Sequence, residues 1–114
     1  MSLEVNVRQQ GNLAIADLSG RLTLGDGTGM LRDTVKQMIE QGHKQILLNL
    51  GQVSYIDSAG LGELVGCYTT VNGAGGKLKL LNLQKKIKDL LQITKLYTIF
   101  EVFEDEAAAA ASYQ

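Results

Sequence analysis

The chain has 114 residues, 45% of them hydrophobic, which suits a single domain spanning 1–114 with one modest core. Lys plus Arg number 11 against 12 Asp plus Glu, so the net charge is −1. That balance speaks against a nucleic-acid binder and against a polybasic membrane-surface protein. The single cysteine, Cys67, excludes an internal disulfide and a cysteine metal cluster.

Residues 3-LEVNVRQ-9 alternate, with Leu3, Val5 and Val7 on one face, and predict a half-buried strand. Gly11-Asn12 reads as a turn, and 13-LAIADLSG-20 as the hairpin partner. The segment 21-RLTLGDGTG-29 is glycine-rich and irregular; Asp26 or Thr28 is placed to cap the following helix. In 30-MLRDTVKQMIEQG-42 the residues Leu31, Val35, Met38 and Ile39 keep helical spacing, and Gly42 is a stop. The apolar run 45-QILLNL-50 predicts a strand buried on both faces of a parallel sheet.

Leu61, Leu64, Val65, Tyr68 and Val71 mark a second helix that ends in 73-GAGG-76. A strand at 77-KLKLLNL-83 follows, then a third helix on Ile87, Leu90 and Leu91, and a last strand at 99-IFEVF-103. The alanine-rich 104-EDEAAAAASY-113 predicts a closing helix with acids in its first turn where the dipole favours them, and its 107-AAAAA-111 reads as a helix end or a fraying one. The order β-β-α-β-α-β-α-β-α implies an α/β fold. Its sheet is mixed and mostly parallel, with an N-terminal hairpin, about five strands, four helices and right-handed crossovers.

Chemistry concentrates in 53-VSYIDSAGLGELVG-66. Ser58 reads three ways. As an N-cap, its oxygen accepts an orphan amide of the helix, with Asp57 adding charge near the positive end. As a nucleophile it lacks the G-x-S-x-G context, since Ile56 stands where glycine is required, and the only histidine is His43. As a phosphorylation target it would carry about −1.5 to −2 charges at a helix terminus that tolerates them, while repelling a docked partner. Gly62 and Gly66 share a face, either pressed against another element or left bare. The stretch 73-GAGGK-77 fails as a P-loop because Val71 and Leu78 stand at required positions, and 25-GDG-27 alone makes no metal site. Cys67 reads as a core filler, Tyr68 and Tyr97 as packing aromatics, and 84-QKKIKD-89 as a solvated helix face. Met1 leads directly into a strand pattern with no signal or membrane-spanning run, which predicts a cytoplasmic location.

The block 46-ILLNLGQVSYIDSAGLGELVG-66, with the early 20-GRL-22 and the late 99-IFEVFEDEAAAA-110, resembles the STAS domain of bacterial anti-sigma-factor antagonists. The resemblance implies a non-enzymatic, partner-switching module without cofactor or metal. The partner is an anti-sigma factor that is also a serine kinase of the histidine-kinase-like ATPase type. It phosphorylates Ser58 and thereby loses its hold on the antagonist, and a PP2C-type phosphatase reverses the step. The implied partner-binding residues are Asp57, Ser58, Ala59, Gly60, Leu61, Gly62 and Asp26. Thr23 stands where many members carry a loop aspartate, and Asp26 comes three residues later. The balanced charge and the lack of an exposed apolar run predict a monomer or weak dimer that binds neither nucleic acid nor membrane. The competing expectations are a non-catalytic STAS subunit of a larger signalling or transport-associated assembly, and an enzyme or nucleotide binder.

Overall fold

A computed structural model describes residues 3–113, and the side chains of Asp26 and Thr28 fall outside the described set. The elements are β1 (Leu3–Gln10), β2 (Leu13–Leu22), α1 (Asp26–Glu40), β3 (Gln45–Ile56), α2 (Ser58–Gly73), β4 (Lys77–Leu81), α3 (Lys85–Ile93), a 3-10 turn (Leu96–Thr98), β5 (Val102–Phe103) and α4 (Glu106–Ala111). The five strands lie in chain order in one sheet. β1 and β2 pair antiparallel through the Gly11-Asn12 turn, and every later pair is parallel. This is the mixed α/β sheet that the alternation of strand and helix patterns predicts.

Period-2 alternation sends the strand residues to opposite faces. Ala14, Ala16, Leu18, Ile46, Leu48, Leu50, Leu78 and Leu80 join the main core under α1, α2 and α3. Leu13, Ile15, Leu47 and Leu81 form a smaller cluster under α4, which contributes Ala109. Both faces of β3 are therefore covered, as its continuous apolar run requires. The T-shaped pair of Tyr68 and Phe100 closes the edge of the main core, with ring centroids 5.6 Å apart.

Several elements differ from expectation. β3 runs on from Leu50 to Ile56 because β2 continues beside it, with register shifts that absorb the twist near Ser19 and Arg21. The last strand shrinks to Val102–Phe103: the chain first makes the 3-10 turn, entered through Lys95 at φ +62°. Val7 is 45% exposed and Tyr97 50% exposed, so neither packs as its pattern implied. The helix expected over 30–42 begins earlier. Asp26 and Thr28 lie inside α1, and Gly25 holds the cap position without a side chain to offer.

Of the two readings of the tail, the helix end holds through Tyr113. Tyr113 donates its hydroxyl to the Ile46 carbonyl, and burial pushes that phenol up in pKa. Lys79 is only 4% exposed. Its ammonium donates to the Ser112 carbonyl (3.1 Å) and hydroxyl (2.9 Å) at the carboxyl end of α4, and stands 4.6 Å from the Tyr113 ring centroid. A cation placed there meets the negative helix end and an aromatic face together. At the other end of α4, Arg8 forks between Asp17 (2.7 Å) and Glu106 (2.6 Å).

Candidate functional site: the amino end of α2

β3 delivers Asp57 and Ser58 at the carboxyl edge of the parallel strands, where open α/β sheets commonly place their sites. Asp57 has extended backbone (φ −98°, ψ −176°), which makes it the last residue outside the helix. Its Oδ1 accepts from the Gly60 N–H at 2.8 Å. The cap of α2 is thus Asp57. Ser58 is the first helical residue and is exposed, which overturns its reading as a capping serine. Among the described residues its hydroxyl has no hydrogen-bond partner.

The second carboxylate oxygen of Asp57 faces away from the helix. Oδ2 accepts from the Leu24 N–H at 3.0 Å, in the loop between β2 and α1. One side chain therefore ties two elements together. These two N–H groups, Leu24 first and Gly60 second, hold the Asp57 carboxyl below its ordinary value. The Asp57 N–H in turn donates to the Leu22 carbonyl at 3.3 Å.

The glycines divide into two kinds. A Cβ on Gly60 would stand 2.2 Å from the Leu22 carbonyl oxygen, and one on Gly27 would stand 2.9 Å from that of Arg21. Both helices thus approach the end of β2 through a glycine. Gly62 has nothing within 4 Å, and Gly66 meets only Glu63 of its own helix. Among the described residues that face of α2 is bare. Arg32 of α1 pairs with Glu63 of α2 at 3.0 Å beside it.

The implied partner-binding residues separate accordingly. Asp57, Ser58 and Ala59 form the first turn, Gly60 is buried in the close approach, and Gly62 is exposed. Leu61 is partly buried against the main core. Asp26 opens α1, and its side chain lies outside the described residues. Sequence reasoning missed Leu24. It stands seven residues before Leu31, which a continued helical period would bury. Gly25, at φ +100°, breaks that phase and leaves Leu24 78% exposed. Gly27 was signalled only by the oddity of 25-GDG-27.

His43 offers no base to Ser58. It follows the far end of α1, whose 15 residues span roughly 22 Å. Burial, first, and the nearby Glu63 push the Cys67 thiol up to about 12, so it is not a poised nucleophile. Among the described residues no group of three His, Cys, Asp or Glu side chains could hold a metal. No described helix is long and apolar enough to cross a membrane.

The comparisons by sequence show the family, and those by structure show the fold. The STAS domain matches residues 4–109. The anti-sigma-B factor antagonist of Bacillus subtilis (strain 168) is 34% identical over 102 residues, covering 90% of this chain and 92% of that protein. The crystal structure of an anti-sigma factor antagonist from Mycobacterium paratuberculosis has the same fold, with a TM-score of 0.86 at 15% identity, over 98% of this chain and 94% of that one. The Bacillus cell fate determinant SpoIIAA in its phosphorylated form also shares it, with a TM-score of 0.74 at 20% identity, over 97% and 100%. With a family match across most of its length and a relative above 30% identity, the chain belongs to the STAS domain family.

Proposed function

We propose that this protein is an anti-sigma-factor antagonist that works as a phospho-switchable binding module. In its unmodified form it binds an anti-sigma factor that is also a serine kinase of the histidine-kinase-like ATPase type. That kinase transfers the γ-phosphoryl group of ATP to Ser58. The Ser58 Oγ–P bond forms, the bond to the bridging β–γ oxygen breaks, ADP leaves, and the hydroxyl proton passes to a base on the kinase. A PP2C-type phosphatase hydrolyses the ester and restores the first state. This chain supplies the acceptor and the surface, and no catalytic group.

The observation that carries the reading is the exposed hydroxyl of Ser58, without a hydrogen-bond partner among the described residues, beside a cap that does not need it. A phosphate added there leaves the Asp57–Gly60 bond in place, and the positive end of α2 accommodates the dianion. The fold therefore survives the modification. A partner docked over the first turn and the bare Gly62–Gly66 face meets new negative charge next to Asp57. Like-charge juxtaposition at an interface costs several kcal/mol, so affinity falls roughly 100-fold or more. The names of the curated relatives support an anti-sigma factor as that partner.

The test is an intact-mass and phosphosite map of the protein from its own cells, alongside Ser58→Ala challenged with kinase and ATP. The expected result is one phosphate on Ser58 in part of the population, and constitutive binding by Ser58→Ala. A protein that is never phosphorylated, or a variant that still responds to ATP, would overturn the reading.

A further inference from the structure

Asp57 uses its two oxygens on different elements. Oδ1 caps α2 through Gly60, and Oδ2 holds the Leu24 N–H of the β2–α1 loop. Capping needs only the first of these bonds. The second does something else: it fixes a short loop against the residue that precedes Ser58. That loop carries an apolar side chain that is 78% exposed, and Met30, in the following turn of α1, is 42% exposed. An exposed leucine alone is unremarkable. A leucine whose own backbone N–H is clamped to the carboxylate adjoining the acceptor serine is held in one place relative to that serine. Gly27 packs the start of α1 closely onto Arg21 and Leu22, so the short loop is anchored on both sides of Leu24.

We propose that Asp57 is a positioning residue for partner recognition, and that Leu24 is the side chain it positions, as an apolar contact inserted into the anti-sigma-factor kinase beside Ser58. This rests on the function proposed above and names a further determinant of the same surface. The occupant is argued from contiguity: whichever protein brings its active site to Ser58 must also cover Leu24, which is tethered through Asp57 only one residue away. A rigid apolar anchor beside a charge switch gives the complex affinity that phosphorylation can then cancel.

Asp57→Asn separates the two bonds. Asparagine caps helices as well as aspartate through its one remaining oxygen. Its amide nitrogen then faces the Leu24 N–H, donor against donor. The expected result is unchanged protection of the Gly60 amide, at least tenfold faster hydrogen exchange at the Leu24 amide, and roughly tenfold weaker binding to the kinase. Leu24→Ala, which keeps the clamp, should weaken binding by a similar factor with no change in Tm. Because Asp57 acts through Leu24, the double variant should bind no worse than about the weaker single variant. Additive losses, or full affinity in Leu24→Ala, would overturn the proposal. If wild type fails to bind the kinase at all, the function proposed above falls, and the role of Leu24 with it. If wild type binds and switches but Leu24→Ala does so equally well, only this inference falls.

Discussion

Two regions of the molecule, the sheet face under α4 and the amino end of α2, are held in opposite ways. On the face under α4, polar side chains are used up: Arg8 is shared between Asp17 and Glu106, Asn49 donates to Asp17 at 2.8 Å, and Lys79 is closed in by Ser112 and Tyr113. At the amino end of α2 the structure rests on backbone proximity, the Asp57 carboxylate and the exposed Arg32–Glu63 pair, and among the described residues the Ser58 hydroxyl is left over. The difference follows from what each region has to do. α4 is six residues long and alanine-rich, too short to persist without tertiary support, so ion pairs and a buried cation fasten it. α2 has 16 residues and three of its side chains, Leu64, Cys67 and Val71, buried in the core, so its first turn is free to be chemically open.

Substitutions can break that contrast, beginning with the largest effect. Gly60→Ala drives a Cβ into the backbone of Leu22, where no flexible side chain can yield. It should destabilise by about 3 kcal/mol, read by urea or thermal unfolding. Were it tolerated, the close approach of α2 to β2 would be wrong. Arg8→Ala should cost about 1 kcal/mol, discounted for partial exposure, and release α4 first, seen as faster exchange of its amides.

Acid should act at the same places. Asp17 and Glu106 lie below their ordinary values because of Arg8, and Asp57 because of the Leu24 and Gly60 N–H groups. The folded state therefore binds protons less readily than the unfolded chain. Stability that is complete at neutral pH should decline from about pH 5 downward, and fade as each carboxylate titrates in the folded state. Arg8→Ala should flatten that decline; an equally steep loss would contradict the assigned cause.

The smallest effects sharpen the comparison within α2. Asp57→Ala should lose about 1 kcal/mol with the cap. Gly62→Ala, with open space around it, should gain about 0.5–1 kcal/mol, the reverse sign of Gly60→Ala. Ser58→Ala should stay within about 0.5 kcal/mol of wild type. A loss of a full kcal/mol there would restore serine as the cap.

The readable part of this chain was the part governed by local periodicity. Alternation in 3–9 and 13–20, the continuous run 45–50 and the spacing of Leu31, Val35 and Met38 each act within one element, and the elements formed as expected. What was not readable depends on neighbours. Asp57 and Ser58 are both good caps, and only the extended backbone at Asp57 decides between them. Lys79 alternates like a solvent-facing lysine in 77-KLKLL-81, yet α4 covers it, a contact between residues 33 apart. β3 continues past Leu50 because β2 is there to pair with it. In the candidate site the D-S-x-G-L-G turn was legible as a motif. The clamp to Leu24 was not, since a backbone N–H leaves no mark in a sequence.

The central claim concerns Ser58, and one titration tests it most directly. The same folded preparation is measured by calorimetry against the anti-sigma-factor kinase before and after stoichiometric phosphorylation, with matching Tm values confirming that the fold is intact. The account predicts tight binding by the unmodified protein and binding roughly 100-fold weaker or worse by the phosphorylated form. Equal affinities in the two forms would contradict it.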